Sequence, residues 1–241
     1  MRGSVTEAGP RAAKNRNEAG WSFSSRLRLQ AKRRGAGAHT LESGCPNVMI
    51  PLWIKIAYTL FVALTVAVYS VKYRPGNFLW FSDIALLMTV PALWLESSLL
   101  AGMSAVGVVL PEVLWNVSYF GQLLTGRRVT GLTDYMFDPG KPLYLRALSL
   151  FHVFLPVLLL WMVATLGYAP AAWVAQTVLA WVVLPLAYFF TDPEDNVNWV
   201  FGPGAEPQKR IPPLAYLGLL MAGFPLLVYL PTHWLLQRLF G

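Results

Sequence analysis

Glu112 stands in LPEVLWNVSYF (residues 110–120), inside an otherwise apolar run, with Trp115, Asn116 and Tyr119. Offsets of three and four residues place all four on one face of a helix. A second apolar run, LSLFHVFLPVLLLW, carries His152, preceded by Arg146 and Ser149 on the same slowly drifting stripe. A third, GNFLWFSDIALL, carries Asp83. A carboxylate and an imidazole in apolar surroundings can relay protons or act as general base and acid, which makes Glu112, His152 and Asp83 the catalytic candidates. Glu112, Asn116, His152 and Tyr119 form the expected ligand-binding set. A His with carboxylates also suits zinc or manganese, so Asp83 and His152 are candidate metal ligands. A packing alternative stands beside these: Glu112 and His152 as a buried hydrogen-bonded pair that fixes two helices.

A second polar stretch, TDPEDNVNW, offers Asp192, Glu194, Asp195, Asn196 and Asn198 as oxygen ligands for a hard cation, with Asp192 and Asp195 the metal candidates. The spacing is not that of an EF-hand loop. The competing reading makes Asp192 an N-cap, Pro193 the first helical residue and Asp195 an acid in the first turn of a short interfacial helix that GPG ends. No H-x-x-x-H or H-E-x-x-H pair, nucleophile elbow or Gly-rich phosphate loop occurs.

The elements that must position these residues follow from composition. Of 241 residues, 56% are hydrophobic and 13% charged, against roughly a quarter charged in a soluble domain, and mean hydropathy is +0.48. Lipid is the expected solvent. About 20 apolar residues cross a bilayer core, and six candidate spans emerge, near 50–71, 79–96, 98–123, 144–166, 170–190 and 213–236. The fold class is therefore all-α, a polytopic transmembrane helical bundle, because backbone polar groups in lipid must be satisfied within the segment. Five spans contain a proline, at Pro91, Pro111, Pro156, Pro185 and Pro225, each of which frees a carbonyl and bends its helix. Ser97, Ala101 and Ala105 recur every four residues, as do Ser98 and Gly102, a spacing that lets helices approach closely. At about 1.5 Å per residue, Asp83 lies about 6 Å from the near end of its span, Asn116 and His152 about 10 Å, and Glu112 about 16 Å. Charged groups at that depth face the bundle and pair with one another.

The net charge of +7 suggests nucleic acid until it is divided along the chain. Residues 1–48 hold nine basic and three acidic residues, a balance of +6; residues 49–241 hold ten and nine, a balance of +1. No nucleic-acid partner is expected. The arm, rich in Gly, Ala, Ser and Arg without periodicity, reads as disordered and lacks the apolar core of a secretory signal. Met49 opens the first hydrophobic segment directly, which marks residues 1–48 as a candidate upstream extension from a misassigned start. Cys45 is the single cysteine, so no internal disulfide can form and cysteine redox chemistry is not expected.

Lys72, Arg74, Arg127, Arg128, Lys141, Arg146, Lys209 and Arg210 lie in or beside loops one (72–77), three (126–142) and five (191–213), and the second and fourth loops hold none. The positive-inside rule then places the odd-numbered loops in the cytoplasm and, with a start at Met49, both termini outside. Lys55 and Arg238 are exceptions.

GNFLWFSDIALL, LSLFHVFLPVLLLW and TDPEDNVNWVFGPG resemble stretches of a group of uncharacterised bacterial polytopic integral membrane proteins, labelled only membrane-associated protein. The likeness covers about residues 49–204. It implies a bacterial inner-membrane location and carries over no activity. Ser82, Asp83 and His152 also echo the ceramidase-like membrane hydrolases, which set a Ser and an Asp on an early helix and histidines on later ones. This chain departs from that pattern, with six spans rather than seven and no paired histidines on its last helix. Two functions are therefore expected in competition. One is a bundle that binds or passes a small polar or lipid ligand at Glu112, Asn116 and His152. The other is a metal-dependent intramembrane lipid hydrolase or transferase using Asp83 and His152 with Glu112 as base. The sequence names no cofactor and no oligomeric state.

Overall fold

The computed structural model describes residues 50–204 and 206–241; the basic arm, with the expectation of disorder and of a start at Met49, lies outside the described residues. The described chain is helical, with no strand among the described residues. In chain order the helices are α1 Leu52–Lys72, α2 Phe81–Trp94, α3 Ser98–Thr125, the short α4 Asp134–Phe137, α5 Leu143–Leu148, α6 Phe151–Leu166, α7 Ala172–Phe190, α8 Pro213–Gly223 and α9 Leu230–Phe240.

Helices α5 and α6 make one interrupted span, Leu143–Leu166, and α8 and α9 make another, Pro213–Phe240, through a wider turn at Phe224–Tyr229. With α1, α3 and α7 this gives five helices long and apolar enough to cross a membrane, plus the shorter apolar α2. The protein is thus membrane-embedded, and the six apolar segments stand where hydropathy puts them. The second is shorter than expected. Its 14 residues reach about 21 Å, less than the ~30 Å hydrocarbon core, because Pro75–Leu79 form a separate 3₁₀ turn before Phe81.

Aliphatic and aromatic side chains line the outside, as Trp53, Leu60, Val71, Val157 and Phe190 do on three different helices. Inside, small residues set the helix spacing, since apolar side chains gain little by leaving lipid for protein. Ala101 and Ala105 of α3 are fully buried. A Cβ on Gly102 would meet the Ala172 Cβ at 2.9 Å, and one on Gly107 would meet Gln176 Nε2 at 2.6 Å, so α7 crosses α3 where α3 has no side chain. The expected small-residue packing is present, and its partner includes α7.

Two of the carbonyls freed by proline find donors on other helices. Pro156 has no N–H for the carbonyl of His152, and Asn116 Nδ2 of α3 donates to that oxygen at 2.7 Å. Pro225 likewise frees the carbonyl of Met221, which accepts from Trp181 Nε1 of α7 at 2.8 Å. Each donor fills a backbone defect that lipid would leave empty.

Turns at the two ends differ in kind. Between α2 and α3, Glu96 takes a left-handed conformation (φ 48°), and Ser97 caps α3 by accepting from the Leu100 N–H at 3.3 Å. Glu96 Oε1 accepts from Lys55 Nζ at 2.7 Å and from the Ile50 N–H at 2.9 Å, so Lys55, an exception in the charge pattern, is neutralised in place. At the other end loops three and five fold back over the bundle.

Candidate functional site

The site begins where α5 gives way to α6. Successive bonds from the amides of Leu150, His152 and Val153 reach back three residues rather than four, tightening the chain around Ser149 and His152. From there His152 Nδ1 lies 2.9 and 2.8 Å from the two carboxylate oxygens of Glu112. Glu112 is 2% exposed. With the carboxylate ionised, Nδ1 carries the hydrogen and donates it between both oxygens. The imidazole is sandwiched between Trp115 (ring centroids 4.7 Å) and Phe151 (4.1 Å), which fixes its plane. The fixed tautomer leaves Nε2 as the nitrogen able to take or give a proton, the arrangement by which a carboxylate orients a general-base histidine.

Asn116 belongs to the same assembly in a different capacity. Its amide donates to the carbonyls of His152 and of Glu112, the latter at 2.8 Å, and so holds α6 against α3 at the level of the pair. Tyr119 stacks on Trp115 at 5.1 Å and packs against Phe137. Neither residue reaches the cavity wall, so of the four expected ligand contacts the structure keeps Glu112 and His152 there. Asn116 and Tyr119 support them from behind.

That cavity has a volume of about 650 Å³. Asp83, Glu112 and His152 share its wall with Ser82 and with parts of loops three and five. Loop three is drawn onto α3 by hydroxyls: Thr130 donates to Ser118 Oγ at 2.8 Å, and Ser118 and Thr133 are 3.2 Å apart and fully buried. Loop five is built by two asparagines in left-handed conformation, Asn196 (φ 39°) and Asn198 (φ 51°). Asn196 accepts from the Phe201 N–H and donates to the carbonyls of Gly202 and Gly204. Asn198 accepts from the Phe81 N–H at 3.0 Å and donates to the Leu79 carbonyl at 2.8 Å, so it caps α2 from a distance of more than a hundred residues in sequence. This cap sets Asp83 in the first turn of α2, against the cavity.

The two polar stretches that the sequence presents separately therefore meet in one wall, but not as a cation-binding loop. The side-chain oxygens of Asn196 and Asn198 are committed to backbone N–H groups. Asp192 pairs with Arg74 across loop one, and Asp195 Oδ2 lies 4.0 Å from the same guanidinium. The expected helix from Asp192 is also absent: a turn runs from Asp192 to Asn196, and Val197–Trp199 form a single 3₁₀ turn. Arg74 outcompetes the backbone for the Asp192 carboxylate. Among the described residues no group of three or more His, Cys, Asp or Glu side chains is placed to hold a metal ion, so Asp83 and His152 are not joined by a third ligand.

Asp83 is the site's unsatisfied buried carboxylate. It is 5% exposed; Oδ2 accepts a long 3.3 Å bond from Asn77 Nδ2, and Oδ1 has no protein partner. Nearer the outside, Arg128 pairs with Asp134 at 2.6 Å, and the Lys141 ammonium lies over the rings of Tyr73 (5.9 Å) and Tyr135 (5.6 Å). Burial raises both phenols above the ordinary tyrosine range, so these rings stay neutral beside Lys141.

At the opposite end of the bundle, Tyr168 OH is 2.7 Å from His233 Nδ1, and burial pushes that phenol up to about 12, so it stays protonated in this pair. His233 is thus satisfied at an interface, as its position near the end of the last span suggests.

No protein-family model, curated protein or solved structure matches this chain.

Proposed function

We propose that this chain is a bacterial inner-membrane protein that binds or passes a small polar or lipid ligand through the cavity between α2, α3, α6 and loops three and five. The observation that carries the reading is the approximately 650 Å³ cavity with Asp83, Glu112 and His152 in its wall. A space of that size, apolar for the most part with a few convergent polar groups, is the usual form of a small-molecule site. Glu112 and His152 orient what enters, and the Nε2 of His152 is available to exchange a proton with it.

The charge pattern supports loops one, three and five on the cytoplasmic side. Lys55, one of the two exceptions at the other side, is neutralised by Glu96. The cavity then opens toward the cytoplasm. The likeness of GNFLWFSDIALL and TDPEDNVNWVFGPG to bacterial membrane proteins supports the location.

The test is native mass spectrometry of the full chain released from detergent micelles, wild type against Ser82→Phe. Ser82 lines the cavity and makes no side-chain hydrogen bond, so the larger ring narrows the space while the polar pair is left intact. A small molecule or lipid retained by wild type and lost from Ser82→Phe is the expected result. Equal retention by both proteins, or none by either, would remove the reading.

A further inference from the structure

We infer that the cavity recognises an organic ammonium group, held by Asp83 and by the aromatic wall around it; this rests on the binding reading above and names the class of ligand. Five carboxylates line the cavity, Asp83, Glu112, Asp134, Glu194 and Asp195, against two permanent cations, Arg128 and Lys141. Glu112 is taken by His152, Asp134 by Arg128, and Asp195 shares Arg74 with Asp192. Of the remaining two, Glu194 is exposed to solvent, whereas Asp83 is nine-tenths buried with Oδ1 free of any protein donor. When ionised, a carboxylate in that position needs a cation or a donor from outside the chain to offset its lost hydration, and a ligand ammonium supplies both.

The surroundings select the kind of cation. A bare metal ion needs several ligands converging on one point, and no group of three or more His, Cys, Asp or Glu side chains does so among the described residues. The space is also many times larger than an ion. The cavity wall that Asp83 shares is instead rich in aromatic rings, those of Tyr73, Trp80, Phe81, Trp115, Trp199 and Phe224. Ring faces attract ammonium groups whose charge is spread over carbon substituents, and they do so best where water is excluded. The wall already holds one ammonium in this way, since Lys141 sits over Tyr73 and Tyr135. A ligand ammonium placed at Asp83 repeats that contact deeper in the bundle, with a full carboxylate as its partner.

Such a group reaches the cavity either on a small soluble molecule or as the headgroup of a lipid, and the experiment separates the two. Trp80, Trp115 and Trp199 in the wall supply intrinsic fluorescence. The full chain in detergent is titrated at constant ionic strength with choline, ethanolamine, dihexanoyl phosphocholine, dihexanoyl phosphatidylglycerol and the uncharged tert-butyl analogue of choline. Saturable binding of choline or ethanolamine is expected to be at least tenfold tighter than that of the tert-butyl analogue and to weaken at least tenfold in Asp83→Asn. If only the phosphocholine lipid binds and Asp83→Asn weakens it by the same factor, the ammonium assignment holds with a lipid source. Equal binding of choline and its uncharged analogue overturns the assignment in wild type alone, whatever the folding of the variant. So does binding unchanged in Asp83→Asn. Saturable binding of phosphatidylglycerol with no response to any ammonium also overturns it while leaving the cavity a binding site; no response to any probe removes both.

Discussion

The end of the bundle bearing the short turns and the end bearing loops one, three and five treat their polar groups in opposite ways. At the turn end, Lys55 and Glu96 close on each other with the Ile50 amide, and Tyr168 closes on His233. At the loop end, Glu112 and His152 form a pair of similar distance, yet it borders a cavity and lies near Asp83, whose Oδ1 has no donor. A buried polar group costs stability unless it is satisfied, so closed pairs suit a packing role. Asp83 is buried in a cavity wall of helices and two folded loops with one oxygen lacking a protein donor, which suits a ligand. The comparison separates charged residues that hold the helices from a buried carboxylate left without a cation.

The largest expected effect breaks this contrast at its centre. Glu112→Leu leaves the His152 ring without its partner and is expected to destabilise the protein by about 3 kcal/mol, the low end for breaking a buried pair, since His152 is partly exposed. Asp83→Asn, at the neighbouring carboxylate, is expected to unfold no earlier than wild type in the same detergent denaturation series, because it removes an uncompensated charge. If Asp83→Asn costs as much as Glu112→Leu, Asp83 is a packing residue and the contrast fails.

Next comes the crossing of α3 and α7, which serves both ends. Gly107→Ala drives a methyl group toward the buried Gln176 amide and is expected to cost about 2 kcal/mol, as overpacking does, measured by thermal unfolding in detergent. Asn116→Leu and Trp181→Phe each orphan a carbonyl that proline has already deprived of its helical donor. Each is expected to cost about 1 kcal/mol by the same measurement. Asn116→Leu should also disturb ligand retention, because the lost bond positions His152; Trp181→Phe, remote from the cavity wall, should not.

The smallest effect sharpens the turn end. The hydrogen bond from Lys55, with the Ile50 amide behind it, holds the Glu96 carboxyl below the ordinary glutamate range. A carboxyl lowered on folding stabilises above its unfolded value, about 4.3, and that stabilisation is lost as pH falls through the lower folded value. Wild type should therefore lose slightly more thermal stability than Glu96→Gln on acidification below about pH 4. Parallel curves for the two proteins would show the Lys55 contact to be inert.

Much of the site was legible residue by residue. The helical offset of Glu112 and Asn116, and the depth shared with His152, follow from 3.6-residue periodicity and span length, and the pair forms. The placement of Asn116 behind the wall was not legible because it depends on Pro156, forty residues away: the proline creates the acceptor, and only the packing of α6 on α3 brings the amide to it. Asn196 and Asn198 carried a local signal, being tolerant of positive φ, but their oxygens counted equally well as cation ligands. The helix expected from Asp192 failed because a capping residue has alternatives, and Arg74 on another loop supplied one.

The sequence by itself determined the solvent and the class of fold, since long apolar runs in lipid leave helices as the way to satisfy the backbone. It also determined which residues were anomalous in those runs. Only the tertiary structure decided which anomalies were closed and which were open. Whether a buried oxygen has a donor depends on helix crossings and folded loops far apart in the chain, here the Asn198 cap that sets Asp83 against the cavity and the proline-freed carbonyl that ties Asn116 behind His152.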